Sequence, residues 1–446
     1  MKVFLCQSYL GPQSGEPLVF PLGLAYLASV IEDKHDVYCW DPNVSENPIR
    51  EFAEILEKVN PDVVGLSFRN IDSIFSHNVR SYYPPFVMMV RLVKKVLPSC
   101  KLIVGGPAFT LFAEEIMKRN PEIDFGVMAE GELTFFELLQ NLQHPERVKG
   151  LIVRKNGKLF NTSRREWLDF DILPMPSRKF FDLKKYRRNM YSMGVQSKRG
   201  CSFNCTYCPM RVVTGDYFRL RSPKKVVDEI EKLVNEYGFQ SFFFVDSVFN
   251  YPLDHARAIC SEINRRKLDV KWIAEFRPDF LNKAFMKEAI KAGCQLFSMS
   301  PDGASNGALR FLGKDFMVDT IDRSIDLIKK VEGAYSLYSF FYDLPYDNQN
   351  HAYGLLRIFL KIQRQCSNKI RGVSLTKIRI LPYTLIYDIA LRQRKIPKNA
   401  DLLYPIHYNA SPPISFASII PNSIRLITIG MEKIKACLNF RKNLYN

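Results

Sequence analysis

No stretch of this sequence is apolar for long enough to cross a membrane, which takes roughly 20 residues. The stretch from Ile414 to Ile429 comes nearest, and Pro421, Asn422 and Arg425 interrupt it. The opening residues, Met1-Lys-Val-Phe-Leu-Cys6, run straight into a strand-like segment. They have neither the length nor the flanks of a signal peptide. Disulfide-framework spacing is missing too: Cys6, Cys39, Cys100, Cys260, Cys294, Cys366 and Cys437 are scattered. They read as buried apolar residues of a reducing compartment, so the expected location is the cytoplasm. No G-x-G-x-x-G follows the first strand, which excludes the dinucleotide fingerprint. The formal charge of +17 has no single basic block behind it. Arg164-Arg165, Lys184-Lys185, Arg187-Arg188, Lys224-Lys225 and Arg265-Arg266-Lys267 are dispersed, so the charge reads as solvated faces. An anionic substrate or membrane face would also fit it, and a nucleic-acid partner is not expected.

What the chain does have is one concentrated motif. Cys201-Ser-Phe-Asn-Cys205-Thr-Tyr-Cys208 places three cysteines at C-x3-C-x2-C spacing on a single loop. Thiolates are the usual iron–sulfur ligands, and a closed 4Fe–4S cluster normally takes four. Three on a tight loop therefore suggest a cluster with one iron left open. A zinc loop would want a fourth Cys or His at short spacing, and three unrelated buried cysteines are the remaining reading. No further Cys or His lies within about forty residues on either side.

With 446 residues, 47% of them apolar, there is room for two or three domains. Up to about residue 145, strands near Val3–Leu5, Asp36–Asp41, Val63–Ser67, Lys101–Val104 and Asp124–Met128 alternate with helices at Leu22–Ile31, Ile49–Val59, Val87–Val96, 111–119 and from Leu133. Alternation of this kind predicts a doubly wound parallel sheet, Rossmann-like, with ligands at the carboxyl ends of its strands. Three of those ends carry pointed chemistry: Ser67-Phe-Arg69-Asn70, Gly105-Gly106 and Glu130-Gly-Glu132. A hairpin (Leu151–Arg154, Leu159–Phe160) and a proline-punctuated linker fill 146–190. From 191 to about 390, some six strand–helix units predict a partial (β/α)6 barrel. Chemistry in such barrels sits at the strand carboxyl ends, where Asp246, Glu275, Arg277, Asp302 and Asp343 gather. Residues 391–446 read as a small C-terminal region. Should a carbon acid react, His407 or Tyr408 could accept its proton. The last stretch, Ile424 to Leu438, predicts an amphipathic helix.

With Tyr207 as its aromatic, C-x3-C-x-aromatic-C resembles the signature of radical S-adenosylmethionine (radical SAM) enzymes. The resemblance implies that Cys201, Cys205 and Cys208 hold a 4Fe–4S cluster. The open iron would bind the amino and carboxylate groups of S-adenosylmethionine, and an electron from the cluster would release a 5'-deoxyadenosyl radical. Asp246-Ser-Val-Phe249-Asn250 resembles the family's second-strand motif. Pro301-Asp302-Gly303 stands where the family usually has Gly-Ile-Glu-Ser-Gly. Tyr207, Asp246, Glu275 and Asp302 are thereby implied as S-adenosylmethionine contacts. The common Gly-Gly-Glu motif is absent.

The first 140 residues resemble the cobalamin-binding module that precedes many radical SAM domains, through Val104-Gly105-Gly106 and Glu130-Gly131-Glu132. This implies a corrinoid cleft lined by Ser67, Arg69, Asn70, Gly105, Gly106 and Glu130. One departure is plain. The family's D-x-H-x-x-G supplies a lower cobalt ligand, but here the loop reads Gln7-Ser8-Tyr9-Leu10-Gly11. His35 and His77 lie elsewhere in the sequence. Arg69 is placed either beneath the corrin, where a guanidinium cannot ligate cobalt, or in an ion pair with a carboxylate such as Asp72.

Arg379–Thr384 and Leu402–Pro405 resemble the region that follows the barrel in cobalamin-linked members, which implies that the C-terminal region 391–446 covers the substrate, with Tyr383, Tyr404, His407 and Tyr408 as candidates. Together the resemblances imply methyl transfer from S-adenosylmethionine, through methylcobalamin, to an unactivated carbon or to phosphorus of a small molecule or peptide. An electron donor such as flavodoxin or ferredoxin is implied with it. A non-methylating radical cyclisation or rearrangement is the alternative, and a cobalamin-binding or nucleic-acid-binding sensor is a remote third.

Overall fold

A computed structural model describes residues 1–410 except 12–16, 74–78, 156, 188–189 and 367. His77 and the helix expected from Ile424 to Leu438 lie outside the described residues. The chain divides into two compact units.

The first unit runs from Met1 to Ser192 and takes in Pro209–Arg219 and Asp401–Pro405. Its sheet uses β1 (Lys2–Gln7), β2 (Asp36–Trp40), β3 (Val63–Ser67), β4 (Lys101–Gly105), β5 (Phe125–Val127), β6 (Leu151–Lys155) and β7 (Lys158–Asn161). The order across the sheet is β2-β1-β3-β4-β5-β6-β7. The first five strands are parallel, and β6 and β7 run antiparallel. Parallel strands are covered on both faces, so they read as near-continuous apolar runs; Val63, Val64 and Leu66 are all buried. Helices α1 (Leu22–Ile31), α2 (Pro48–Val59), α3 (Tyr83–Val96), α4 (Pro107–Arg119) and α5 (Glu132–Gln140) connect the strands, with α1 packed on α5 and α2 on α3.

Two helices start a turn earlier than apolar spacing alone predicts. Pro84-Pro85 opens α3 and Pro107 opens α4. Proline is favoured at the first helical turn, where its missing N–H costs nothing. The hairpin also does more than its sequence announces. Val127 pairs with Leu151 and Phe125 with Val153, so the hairpin extends the first sheet.

The second unit is built from Met193–Cys208 and Leu220–Ala400, with the segment from Ile406. It holds β8 (Gly194–Val195), β9 (Lys198–Arg199), β11 (Ser241–Phe244), β12 (Lys271–Phe276), β13 (Cys294–Asp302), β14 (Ser336–Tyr342) and β15 (Ile370–Lys377). Between β9 and β11 in the chain lie the short helix α6 (Met210–Thr214) and β10 (Arg219–Leu220). Helices α7 (Pro223–Asn235), α8 (Leu253–Arg265), α9 (Lys283–Lys291), α10 (Asn306–Phe311), α11 (Val318–Lys330), α12 (Asn348–Gln365) and α13 (Leu385–Arg392) complete it. Six strands form one parallel sheet in the order β15-β14-β13-β12-β11-β8, the expected partial barrel. Along β11, β12, the middle of β13 and most of β14, burial alternates with the period of two that a pleated strand imposes. On β12, Trp272, Ala274 and Phe276 are fully buried while Ile273 and Glu275 are intermediate. On β13, Phe297 and Met299 are buried, and Ser298 and Ser300 are not. Among the described residues no helix is long and apolar enough to cross a membrane.

Candidate functional sites

In the first unit, the strand order reverses between β1 and β3. Chain-order neighbours β1 and β2 pair on one side, and β3 returns on the other. Ligand crevices of open α/β sheets lie at this reversal, beyond the carboxyl ends of the strands. Here those ends are Gln7 and Ser67, which are register partners. The Ser8 amide donates to the Ser67 carbonyl at 2.9 Å. Among the described residues the buried Ser8 hydroxyl finds no hydrogen-bond partner, and it lies at the spot where a polar ligand edge would arrive.

Gly105 ends β4 and Gly106 precedes α4. Gly106 has φ +103°, and a Cβ there would stand 2.7 Å from the Phe68 carbonyl oxygen. The glycine is thus required by the chain's own packing at the cleft. Thr110 fixes the next turn, its hydroxyl donating to the Gly106 carbonyl at 3.0 Å and accepting from the Ala129 amide at 2.9 Å. Arg69 is half-buried, and its charge acts on Asp41. Burial pushes the Asp41 carboxyl up, while Tyr186 donates to it at 2.7 Å. Asn70 lies beside Arg69, also half-buried. His35 sits at the amino end of β2, away from the carboxyl ends that form the crevice. Glu130 is held by a bidentate pair with Arg219, at 2.7 and 2.9 Å, so a structural partner occupies the carboxylate expected in the cleft.

In the second unit, Cys201, Cys205 and Cys208 are free thiols of intermediate exposure on one loop. The loop is fastened by groups other than its cysteines. Thr206 N–H donates to the Leu312 carbonyl at 3.2 Å and its own carbonyl accepts from Ile386 at 3.0 Å. The Arg277 guanidinium stacks 3.7 Å over the Phe203 ring and is held by Asp279 at 2.8 Å. Among the described residues no three Cys, His, Asp or Glu side chains meet as ligands of a single ion would. A 4Fe–4S cluster takes one ligand per iron, so its cysteines need not meet at one point. Burial pushes the Cys201 thiol up, and Arg277 and Lys314 pull the other way, toward the thiolate. Three free thiols on one anchored loop, with cations beside them, fit such a cluster.

The Asp246 motif braces this loop from below. Asp246 accepts from the amides of Ser197 at 2.8 Å and Lys198 at 3.2 Å. The buried Lys198 ammonium reaches the carbonyls of Phe249 at 2.8 Å and Tyr251 at 2.9 Å. The Asn250 side chain brackets the Arg277 backbone, at 2.8 and 2.9 Å. Asp302 is likewise engaged: it pairs with Lys314 at 2.6 Å and accepts from the Tyr207 hydroxyl. Sequence reading missed Lys314, which lies 107 residues from Tyr207 in the chain and belongs to no recognisable spacing.

Glu275 keeps only hydroxyl partners, Ser298 at 2.9 Å and Ser300 at 3.5 Å. Burial pushes its carboxyl up to about 7, with Asp302 adding to the rise. A raised carboxyl means that the folded state holds a proton that the unfolded chain releases at lower pH. Stability from this group is therefore lost as pH rises through the window from about 4.5 to about 7. His255, His351 and His407, all lowered to about 4 by burial, work in the opposite sense on the acid side. The expected result is thus a difference between proteins. Glu275→Gln should gain stability over wild type as pH goes from 5 to 8, read by Tm of the protein without cofactors; a constant offset would count against it.

His407 is neutral at neutral pH, lowered by burial and by Arg379 and Lys377. Tyr408 donates to Gln393 at 2.6 Å, and burial pushes it up to about 12. Of the two candidate proton acceptors, His407 has a free lone pair at neutral pH but is a weaker base than an ordinary imidazole, and Tyr408 is a neutral phenol.

Two family models match the chain. The B12 binding domain matches residues 14–139, and the Radical SAM superfamily matches 183–356. An uncharacterized methyltransferase of Pyrococcus horikoshii is 30% identical over 349 residues, covering 77% of this chain and 73% of that one. The cytidylyl-2-hydroxyethylphosphonate methyltransferase of Streptomyces wedmorensis is 26% identical, over 54% of this chain and 53% of its own length. The chain therefore spans about half of that relative. Among solved structures, the radical S-adenosylmethionine methyltransferase TsrM of Kitasatospora setae shares the fold, with a TM-score of 0.78 and 19% identity over 92% of this chain and 80% of that one. This chain belongs to the B12-dependent radical SAM enzymes, whose cofactors are a 4Fe–4S cluster, S-adenosylmethionine and cobalamin.

Proposed function

We propose that the protein is a methyltransferase that moves the methyl group of S-adenosylmethionine by way of cobalamin to carbon or phosphorus of a small molecule or peptide. When bound, the corrinoid supplies a cobalt that takes up and passes on the methyl group, and the cluster supplies single electrons to S-adenosylmethionine. The observation that carries the reading is the presence in one chain of both a strand-reversal crevice with an unmet Ser8 hydroxyl and an anchored three-thiol loop on a parallel half-barrel.

In this proposal Cys201, Cys205 and Cys208 hold the cluster. Ser67, Asn70, Gly105 and Gly106 border the corrinoid cleft. Glu275 and Tyr207 line the S-adenosylmethionine side of the half-barrel, while Asp246 and Asp302 brace it rather than touch the ligand. His407 is the proton acceptor if the substrate is a carbon acid. The protein works in the cytoplasm with a one-electron donor of the flavodoxin or ferredoxin kind. The test uses S-adenosylmethionine labelled in its methyl group, incubated with the reconstituted protein and a reductant. Label on the corrinoid is expected. Formation of 5'-deoxyadenosine with the label kept in methionine and none on the corrinoid would favour the cyclisation or rearrangement alternative.

In this proposal Arg69 would border the bound corrinoid, where its permanently charged guanidinium offers cobalt no lone pair. Arg69→His should move the visible spectrum of the bound corrinoid toward that of a nitrogen-ligated cobalt. A spectrum identical to wild type would place Arg69 away from the metal.

A further inference from the structure

The cluster loop rests on a short segment that its sequence does not advertise. Leu312, Gly313 and Lys314 follow α10, and each touches the loop. Leu312 accepts the Thr206 amide at 3.2 Å. Gly313, with φ +73°, lies so close to Asn204 that a Cβ would stand 2.3 Å from its carbonyl oxygen. Lys314 is buried, 9% exposed, beside Asp302 at 4%. Its ammonium pairs with Asp302 at 2.6 Å and also donates to the Ser300 carbonyl at 3.2 Å and the Tyr207 hydroxyl at 3.3 Å.

A buried ion pair is weak evidence for a stability role, because an apolar pair of similar volume often does as well. This pair is placed where charge has another consequence. The residue before Lys314 abuts the loop at Cys205, whose Cα would stand 3.4 Å from a Gly313 Cβ, and Lys314 and Asp302 both bond the hydroxyl of Tyr207, which lies between Cys205 and Cys208. The backbone contacts of Leu312 and Gly313 tie the lysine's own segment to the loop.

We propose that Lys314 and Asp302 are positioning residues that set the reduction potential of the cluster, Lys314 raising it and Asp302 restraining the rise. The proposal rests on the reading that Cys201, Cys205 and Cys208 hold a 4Fe–4S cluster. Reduction moves one electron from an external one-electron donor onto the cluster, whose net charge becomes more negative by one. A fixed cation beside the thiolates favours that state, and a fixed carboxylate opposes it. In a buried setting neither charge is screened by salt as a surface charge would be.

The test is a potentiometric titration of the reconstituted full chain, followed by electron paramagnetic resonance, with iron content measured for each sample. Lys314→Met should shift the potential to more negative values, because the cation is gone and the carboxylate either remains or takes a proton. Asp302→Asn should shift it to more positive values, and Lys314→Arg should stay near wild type. Opposite shifts are something a purely structural role would not produce. Shifts of the same sign, or no shift, with iron content intact, would overturn the proposal. If only one of the two charge-removing variants holds a cluster, its sign relative to Lys314→Arg decides. If neither does, the pair is structural and the proposal is overturned. A wild-type protein that binds no 4Fe–4S cluster is a different failure: it overturns the cluster assignment itself.

Discussion

Cys205→Ala is expected to leave the anaerobically reconstituted protein without its 4Fe–4S absorption, and to reduce S-adenosylmethionine cleavage to the background of the cluster-free protein. The reason is ligand count. A cluster already one thiolate short of the usual four has no spare ligand to lose. The fold should survive the change. The loop's fastenings run through Thr206 to Leu312 and Ile386 and through Phe203 to Arg277, and none uses the Cys205 sulfur. Far-ultraviolet circular dichroism should therefore match wild type while the iron content collapses. Cys260→Ala is the control. Cys260 is buried on α8 and behaves as a small apolar residue, so its loss should lower stability modestly and leave the cluster in place. Unchanged S-adenosylmethionine cleavage in Cys205→Ala would refute the site.

The largest expected effect on stability lies in the first unit, at Arg219. Its guanidinium meets Glu130 with both nitrogens, and the two side chains are only 6% and 8% exposed. The same group donates to the Leu168 carbonyl at 2.8 Å and lies 5.2 Å over the Trp167 ring. Removing one partner of a buried pair strands the other charge, at a typical cost of about 3–5 kcal/mol. Arg219→Met should therefore destabilise the protein by about that amount in urea unfolding, and adding Glu130→Gln should recover part of it. The same pair of variants separates the two roles open to Glu130. A carboxylate that serves the corrinoid would lose corrinoid on Glu130→Gln with little change in unfolding. The ion pair predicts the reverse order of effects.

These two residues also mark where sequence reading reaches its limit. The parallel strands were legible because both-face burial writes apolar runs such as Val63-Val64-Gly-Leu66, and because the second-unit strands alternate with amphipathic helices. The cysteine loop was legible because its three ligands are local. Glu130 and Arg219 are 89 residues apart, and nothing in the spacing joins them. The turn at Glu130-Gly-Glu132 looked like ligand chemistry, and tertiary packing gave its first carboxylate to an arginine. Asp302 shows the same limit. Its likeness to the family's Gly-Ile-Glu-Ser-Gly stretch pointed to S-adenosylmethionine, while its neighbours Lys314 and Tyr207 could only be found by folding the chain. The antiparallel hairpin was visible as a hairpin, but the strand edge that it would join was not, because edge pairing uses backbone groups that every residue carries.

The measurement that tests the account most directly is a cofactor count. The full chain is reconstituted without oxygen in the presence of iron, sulfide and hydroxocobalamin, then freed of unbound material and assayed for metal and corrinoid. The account predicts about four iron and one corrinoid per chain, with both retained together. A stable 4Fe–4S spectrum with no retained corrinoid would contradict it.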